Sequence, residues 1–251
     1  MASFGRQYGK SPAHALAALR LNLARMALEL RRLGINVDCL PVLDLDVEGA
    51  DEIIGDRAFS RDPAVTAALG KATVEAMMEF GCLPVIKHIP GHGRAPADSH
   101  KALPVVEASF AELAAWDFRP FAACATAPLA MTAHVAFRAI DGERPASLSK
   151  KIVSEIIRGH IGFEGLLISD DIGMGALAGD FGKRTAAVLE AGTDLVLHCG
   201  GDLGEMEAVA NAVDELDREA ATRLDAWLEE AEGRSLPEPQ MLADAVAGMA
   251  E

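Results

Sequence analysis

The sequence predicts an α/β fold built on a parallel sheet, and three observations predict it. Helix-like stretches alternate with short apolar runs along most of the 251 residues, the pattern that places helices outside a parallel sheet. The apolar runs are continuous rather than alternating, as expected of strands buried on both faces. Titratable residues collect where the runs stop: Asp44, Lys87 and His88, His134, Asp170 and Asp171, and His198. In a parallel barrel those ends share one face, where active sites form.

Each element has its own signal. Leu16, Leu19, Leu23, Met26, Leu30 and Leu33 recur at alternating steps of three and four, which predicts a helix from Pro12 to Leu33, stopped by Gly34. "INVDCLPVLDL" then reads as a buried strand. A helix from Pro63 to Phe80 ends at Gly81 and feeds "CLPVIKH". "SFAELAAWDFRPFAAC" reads as a third helix, leading to the strand "PLAMTAHVAF". A fourth, Lys150 to Ile161, leads through "GFEG" to "LLISDDIGM", and a fifth, "KRTAAVLEAG", leads to "TDLVLHCGG". From Leu203 onward, Ala, Arg and acidic residues alternate in the manner of two or three surface helices. About five strands are recognisable where a closed barrel requires eight, so either N-terminal strands are missing or the sheet is open and doubly wound.

Composition narrows the function. Half of the residues are hydrophobic and few are aromatic, so the core must be aliphatic. A net charge of −15 argues against a nucleic-acid partner and against docking on an anionic membrane. No apolar run is long enough to span a bilayer and no signal peptide is visible, so a cytoplasmic location is expected. Cys39, Cys82, Cys124 and Cys199 lack C-x-x-C spacing, which predicts reduced and mostly buried thiols without a zinc site.

The chemistry concentrates in "KHIPGHGRAPADSH", Lys87 to His100. Asp98 and His100 are two apart, so in a turn the carboxylate can fix the imidazole's tautomer and support its protonated form. Histidine as a residue type titrates near about 6.5, suited to acid–base work. Lys87 and His88 sit at a strand end, a rigid support for substrate hydrogen bonds. His92 lies between the glycines of "GHG" and is expected to make a structural hydrogen bond within the loop. In "ISDDIGM" an apolar strand delivers two carboxylates, which serve metals, acid–base or covalent catalysis, or equally the N-cap of a following helix.

The loop "KHIPGHGRAPADSH" closely resembles that of bacterial β-N-acetylhexosaminidases of glycoside hydrolase family 3, and "RGHIGFEGLLISDDIGM" resembles their nucleophile segment. "GINVDCLPVLDL", "IGDRAFSRDP" and "MTAHVAF" fall in the family's order at similar separations, so the resemblance runs from Gly34 to Gly201. It implies a TIM (β/α)8-type barrel, incomplete at the N-terminus, with residues 1–251 forming a single catalytic domain of the family's N-terminal type. It implies Asp170 as nucleophile, His100 as acid/base and Asp98 as the partner that tunes it. Arg57, Lys87 and His88 are implied as sugar contacts, and Asp44, His134, Asp171 and Met174 resemble pocket-lining positions.

The activity implied is retaining hydrolysis of terminal β-linked N-acetylglucosamine from muropeptide fragments in peptidoglycan recycling, with no metal or organic cofactor. A phosphorylase of the same family, a catalytically impaired sugar-binding remnant, and a metal-dependent hydrolase using His88, His92, His100 and Asp98 are the rivals. The family's D-Q-E-G-G-R-V-x-R stretch has no counterpart here, and residues before Gly34 resemble the helix that follows it. The expectation is therefore an open barrel with bare apolar faces, in a fragment of a longer enzyme or in a chain covered by a second copy of itself.

Overall fold

The computed structural model describes residues 1–235; the last stretch of the expected C-terminal helices and of the 1–251 domain, residues 236–251, lies outside the described residues. The helices are α1 (Ala2–Tyr8), α2 (Pro12–Arg32), α3 (Pro63–Glu79), α4 (Phe110–Ala115), α5 (Phe118–Ala123), α6 (Arg138–Asp141), α7 (Phe181–Glu190), α8 (Leu203–Ala210) and α9 (Arg218–Glu232). The strands are β1 (Val37–Asp38), β2 (Leu83–Ile89), β3 (Val105–Val106), β4 (Leu129–Thr132), β5 (Ala136–Phe137), β6 (Gly142–Pro145), β7 (Leu166–Asp171) and β8 (Leu195–Leu197). Five of them form a parallel half-barrel in the order β1-β2-β4-β7-β8. Spatial order follows chain order, as successive strand–helix–strand units dictate. A small sheet, β3-β5-β6, stands beside it. Among the described residues no helix is long and apolar enough to cross a membrane.

Several elements differ from the sequence reading for local reasons. "INVDCLPVLDL" is not one strand: only Val37 and Asp38 enter the ladder, followed by a single bridge from Val42 to Lys87. Pro41 has no N–H to donate, and only its carbonyl takes part, accepting from the Lys87 amide at 3.0 Å. The helix expected over 109–124 breaks at Trp116. Pro120 cannot donate to the Trp116 carbonyl, so α4 and α5 are separate. "PLAMTAHVAF" splits into β4 and β5, which belong to different sheets. Residues Ile152–His160 wind as a π-helix. Helix starts obey their caps: Asp62 accepts from the Ala64 amide ahead of α3 at 2.7 Å, and Asp180 from the Lys183 amide ahead of α7 at 2.9 Å.

The two faces of the half-barrel are buried by different partners. Ile86, Ala130 and Leu167 pack with Phe118, Phe121, Ile152 and Ile156 from the flanking helices. Leu83, Val85, Leu129, Met131 and Leu166 point the other way and pack with Ala220 and Ala231 of α9, joined by Leu224, Trp227 and Leu228. Residues 220, 224, 227, 228 and 231 share one helix face. The face expected to be bare is therefore covered from within the chain. Two arginines fix this helix. Arg31 at the end of α2 donates to the carbonyls of Ala231 at 2.9 Å and Glu232 at 3.2 Å, and Arg223 donates to the Glu164 carbonyl at 2.9 Å.

Trp227 is the bulkiest side chain α9 lays on the sheet. Trp227→Ala is expected to cost about 2 kcal/mol, less than a fully buried Trp because the site is half-buried. The shift of the urea unfolding midpoint at unchanged slope measures it; no shift would mean that α9 contributes nothing to the sheet's stability.

Candidate active site

The C-terminal ends of the parallel strands converge on one cleft of about 260 Å³, near the lower end of the range for small-molecule sites. Asp170 from β7, Lys87 and His88 from β2, His100 from the following loop and Arg57 from the turn Gly55–Arg57 all line it. Asp44, Asp98 and His134 stand behind these residues as hydrogen-bond partners or buried supports. Met174 is buried in the turn after β7 and is not among the residues lining the cleft.

Asp44 organises the β2 side. Its carboxylate is fully buried and accepts three hydrogen bonds, from the His88 ring Nδ1 at 2.6 Å, the His88 amide at 3.1 Å and the His92 amide at 2.6 Å. Burial alone pushes this carboxyl up. The charge and hydrogen bond of His88, with His92, outweigh burial and hold it below the ordinary carboxylate range. With Nδ1 bound to Asp44, His88 turns Nε2 toward Asp170, 4.0 Å from Oδ2. That is an ion-pair distance but too long for a hydrogen bond. His92 makes the structural contact expected of it, Nε2 to Ser99 Oγ at 2.9 Å, while its buried Nδ1 has no partner among the described residues and burial pushes its pKa down.

The His100 loop is held from two sides. Asp98 Oδ1 accepts from both the His100 amide at 2.9 Å and the ring Nδ1 at 2.8 Å, and these hydrogen bonds hold the Asp98 carboxyl below its usual range. The carboxylate thus fixes the ring orientation that the two-residue spacing suggested, leaving Nε2 as the other functional atom. The His100 side chain itself is 60% exposed. On the far side, the Gly175 and Ala176 amides after β7 donate to the carbonyls of His100 at 3.0 Å and Ser99 at 3.1 Å. A Cβ on Gly175 would lie 2.8 Å from the His100 carbonyl oxygen, so only glycine lets the two loops approach this closely.

On the β7 side, Asp170 Oδ1 accepts from the Asp171 amide at 2.9 Å. Asp171 does not cap α7, whose N-cap is Asp180. Instead it accepts from the Gly173 amide at 2.9 Å and the Cys199 amide at 3.1 Å, tying the ends of β7 and β8 together. His134 is buried, and burial pushes its pKa down. Its Nε2 donates to the Asp171 carbonyl at 3.1 Å while Nδ1 meets Ser147 Oγ at 2.7 Å, so it braces the backbone just past Asp170. His198 lies between Asp171 Oδ1 at 3.7 Å and Glu205 Oε2 at 3.4 Å, against the edge of Phe181.

Cys39, Ser99, Met131 and Leu197 also line the cleft and were not singled out by sequence. Met131 and Leu197 sit near the ends of apolar strands, the one signal that marks them. Cys82 and Cys124 are buried, with thiols pushed up to about 12 by burial, whereas Cys39 and Cys199 are exposed, contrary to the expectation of mostly buried cysteines. Among the described residues no group of three or more His, Cys, Asp or Glu side chains is arranged to hold a metal ion. The rival ligand set of His88, His92, His100 and Asp98 therefore does not assemble: Asp98 pairs with His100, while His88 and His92 turn to Asp44 and Ser99.

Residues 17–230 match the family description "Glycosyl hydrolase family 3 N terminal domain". The chain belongs to glycoside hydrolase family 3. A β-hexosaminidase from Bordetella avium is 38% identical over 203 residues, covering 79% of this chain and 57% of that protein. One from Xanthomonas oryzae pv. oryzae is 40% identical over 205 residues, covering 80% and 60%. The chain thus spans about three fifths of the length of these curated relatives. NagZ from Neisseria gonorrhoeae, solved in complex with N-trifluoroacetyl-D-glucosamine, superposes with a TM-score of 0.84 at 31% identity, covering 99% of this chain and 74% of NagZ. A family 3 β-N-acetylglucosaminidase from Paenibacillus gives 0.80 at 27% identity, covering 92% of this chain and 49% of that one.

The buried Asp44 clamp has a pH signature. Its folded-state pKa lies below the unfolded value of about 3.9, so its contribution is present above that pH and is lost as pH falls through the folded value. Asp44→Asn is expected to lower stability by about 3 kcal/mol at neutral pH and to flatten the decline of stability below about pH 4. Urea titrations between neutral and acid pH measure both; a variant with the parent's acid dependence would refute the assignment.

Proposed function

We propose that the cleft hydrolyses β-N-acetylhexosaminides through a covalent intermediate with retention of configuration. The observation that carries this reading is that Asp170 and the Asp98-paired His100, delivered by separate loops, line the same small cleft. Asp170 attacks the anomeric carbon as His100 gives its Nε2 proton to the departing oxygen. The neutral imidazole then takes a proton from water, whose oxygen displaces Asp170 and frees the sugar. Water is the only co-reactant, and no metal or organic cofactor takes part in these steps.

Arg57, Lys87 and His88 bond the sugar's hydroxyls, with Asp44 holding His88 in place. His134 braces the end of β7, and Met174 packs beneath that turn. The substrate is a terminal, non-reducing β-linked N-acetylglucosamine on muropeptide fragments, as in peptidoglycan recycling. Support comes from relatives named β-hexosaminidase and from the structural neighbour that holds an N-acylated glucosamine.

A 2-deoxy-2-fluoro glycoside with an activated leaving group tests the nucleophile. Peptide mapping should find the sugar mass on the fragment containing Asp170; a label on a fragment lacking it would overturn the assignment. Sugar 1-phosphate appearing in place of free sugar when phosphate is supplied would instead make the protein a phosphorylase.

His100→Ala should slow cleavage of glycosides with poor leaving groups by about 100- to 10,000-fold, and that of activated aryl glycosides far less. Steady-state rates on the two substrate types check this. Equal losses would count against an acid role.

A further inference from the structure

A groove separate from the cleft is built around an exposed tryptophan. It measures about 500 Å³, against about 260 Å³ for the cleft. Arg61, Asp62 and Pro63 line it at the start of α3, and Ala115, Trp116 and Arg119 line it around the break between α4 and α5. None of these residues lines the cleft. Trp116 is 48% exposed, whereas Trp227, the only other tryptophan, packs against the sheet.

The charges around the groove are unevenly matched. Arg61 donates through Nε to Asp46 at 3.1 Å and through Nη1 to Glu48 at 3.3 Å, so its charge is answered. Asp62 Oδ1 caps α3, accepting from the Ala64 amide at 2.7 Å, at the helix end that stabilises a negative charge. Asp117, beside Trp116, is buried and bound to Arg94 at 2.7 Å. The exposed Arg119 guanidinium has no hydrogen-bond or ion-pair partner among the described residues. A planar guanidinium of this kind matches one carboxylate, which it can hold with two parallel hydrogen bonds. The indole beside it offers a flat apolar surface, and a pyranose has C–H faces that can lie on one. The net charge of −15 does not forbid this, because salt screens charges more than about 8 Å away.

We propose that this groove is a second ligand site, which binds a pyranose carrying one carboxylate, with the ring on Trp116 and the carboxylate on Arg119. The choice of a sugar rests on the glycosidase reading of the cleft. The site itself is distinct and takes no part in bond cleavage. Arg61 lies four residues beyond Arg57, so the segment that lines the cleft continues into this groove.

The test is an NMR titration of the full chain that follows the indole N–H signals, with N-acetylmuramic acid and N-acetylglucosamine as probes. Only the first sugar carries a lactyl carboxylate. Trp116→Phe identifies the Trp116 signal by removing it. N-acetylmuramic acid should shift that signal and saturate at about millimolar concentration, and N-acetylglucosamine should bind there about tenfold more weakly. Arg119→Ala should reduce the acid to the level of N-acetylglucosamine and leave hydrolysis of an aryl N-acetylglucosaminide unchanged. A Trp116 signal that neither sugar moves would overturn the proposal. So would equal binding of the two sugars, or a preference for the acid that survives Arg119→Ala. Benzoate binding more tightly than N-acetylmuramic acid would make this a site for aromatic acids and would also overturn it. A chain that shows the Arg119-dependent preference yet hydrolyses no aryl glycoside would support this site while refuting the reading of the cleft.

Discussion

A buried carboxylate sets the geometry on which the rest of the cleft depends. Asp44 lies out of water and would be costly there as an anion, but three donors from the β2 end and its loop converge on it. The arrangement works in both directions. The donors keep the carboxylate charged, and the carboxylate fixes the His88 ring and the backbone at His92. From that anchor the chain turns through Gly91 and Gly93 to Asp98 and His100. Gly93 packs directly on the Leu45 backbone, where a Cβ would come within 2.1 Å of its carbonyl oxygen. One interaction therefore joins the segment after β1 to the end of β2 and to the loop bearing His100.

A second set of contacts aligns the opposing half. His134, bonded through its other ring nitrogen to Ser147, holds the Asp171 carbonyl, Asp171 holds the β8 end, and the amides of Gly175 and Ala176 hold the His100 loop. Asp170 and His100 thus approach the cleft from segments that are hydrogen-bonded to each other through backbone, which fixes the relative position of the two side chains' attachment points. The exposed imidazole of His100 is anchored at its base by Asp98 while its outer edge stays accessible.

The sequence made some of this legible and hid the rest for definable reasons. Strand ends at Lys87, His134 and Asp170 could be read because each follows a continuous apolar run, and parallel topology then brings such ends together. The Asp98–His100 contact was implied by a spacing of two. By contrast, the amphipathic face of α9 announces that it packs somewhere but carries no mark of where, so its place on the half-barrel was invisible. The break at Trp116 depended on Pro120 in a segment otherwise patterned as one helix. Cys39 and Ser99 line the cleft through loop geometry, which no periodicity encodes. The Asp171 carboxylate is ambiguous in the sequence between a pocket-lining group and a helix cap, and the position of Asp180 as the N-cap of α7 removes the second reading.

The seating of α9 carries a consequence for how the molecule is made. The hydrogen bond from Arg31 to the Ala231 carbonyl spans 200 residues, and Leu83, Val85 and Leu129 meet their covering helix only after some ninety or more further residues have been added. During synthesis the early strands must wait with greasy side chains unshielded, because the segment that seals them emerges so many residues after them. Such distant pairings slow folding and leave nascent species prone to association. A cell producing this polypeptide would need its chaperones most in the interval between the emergence of β2 and that of α9.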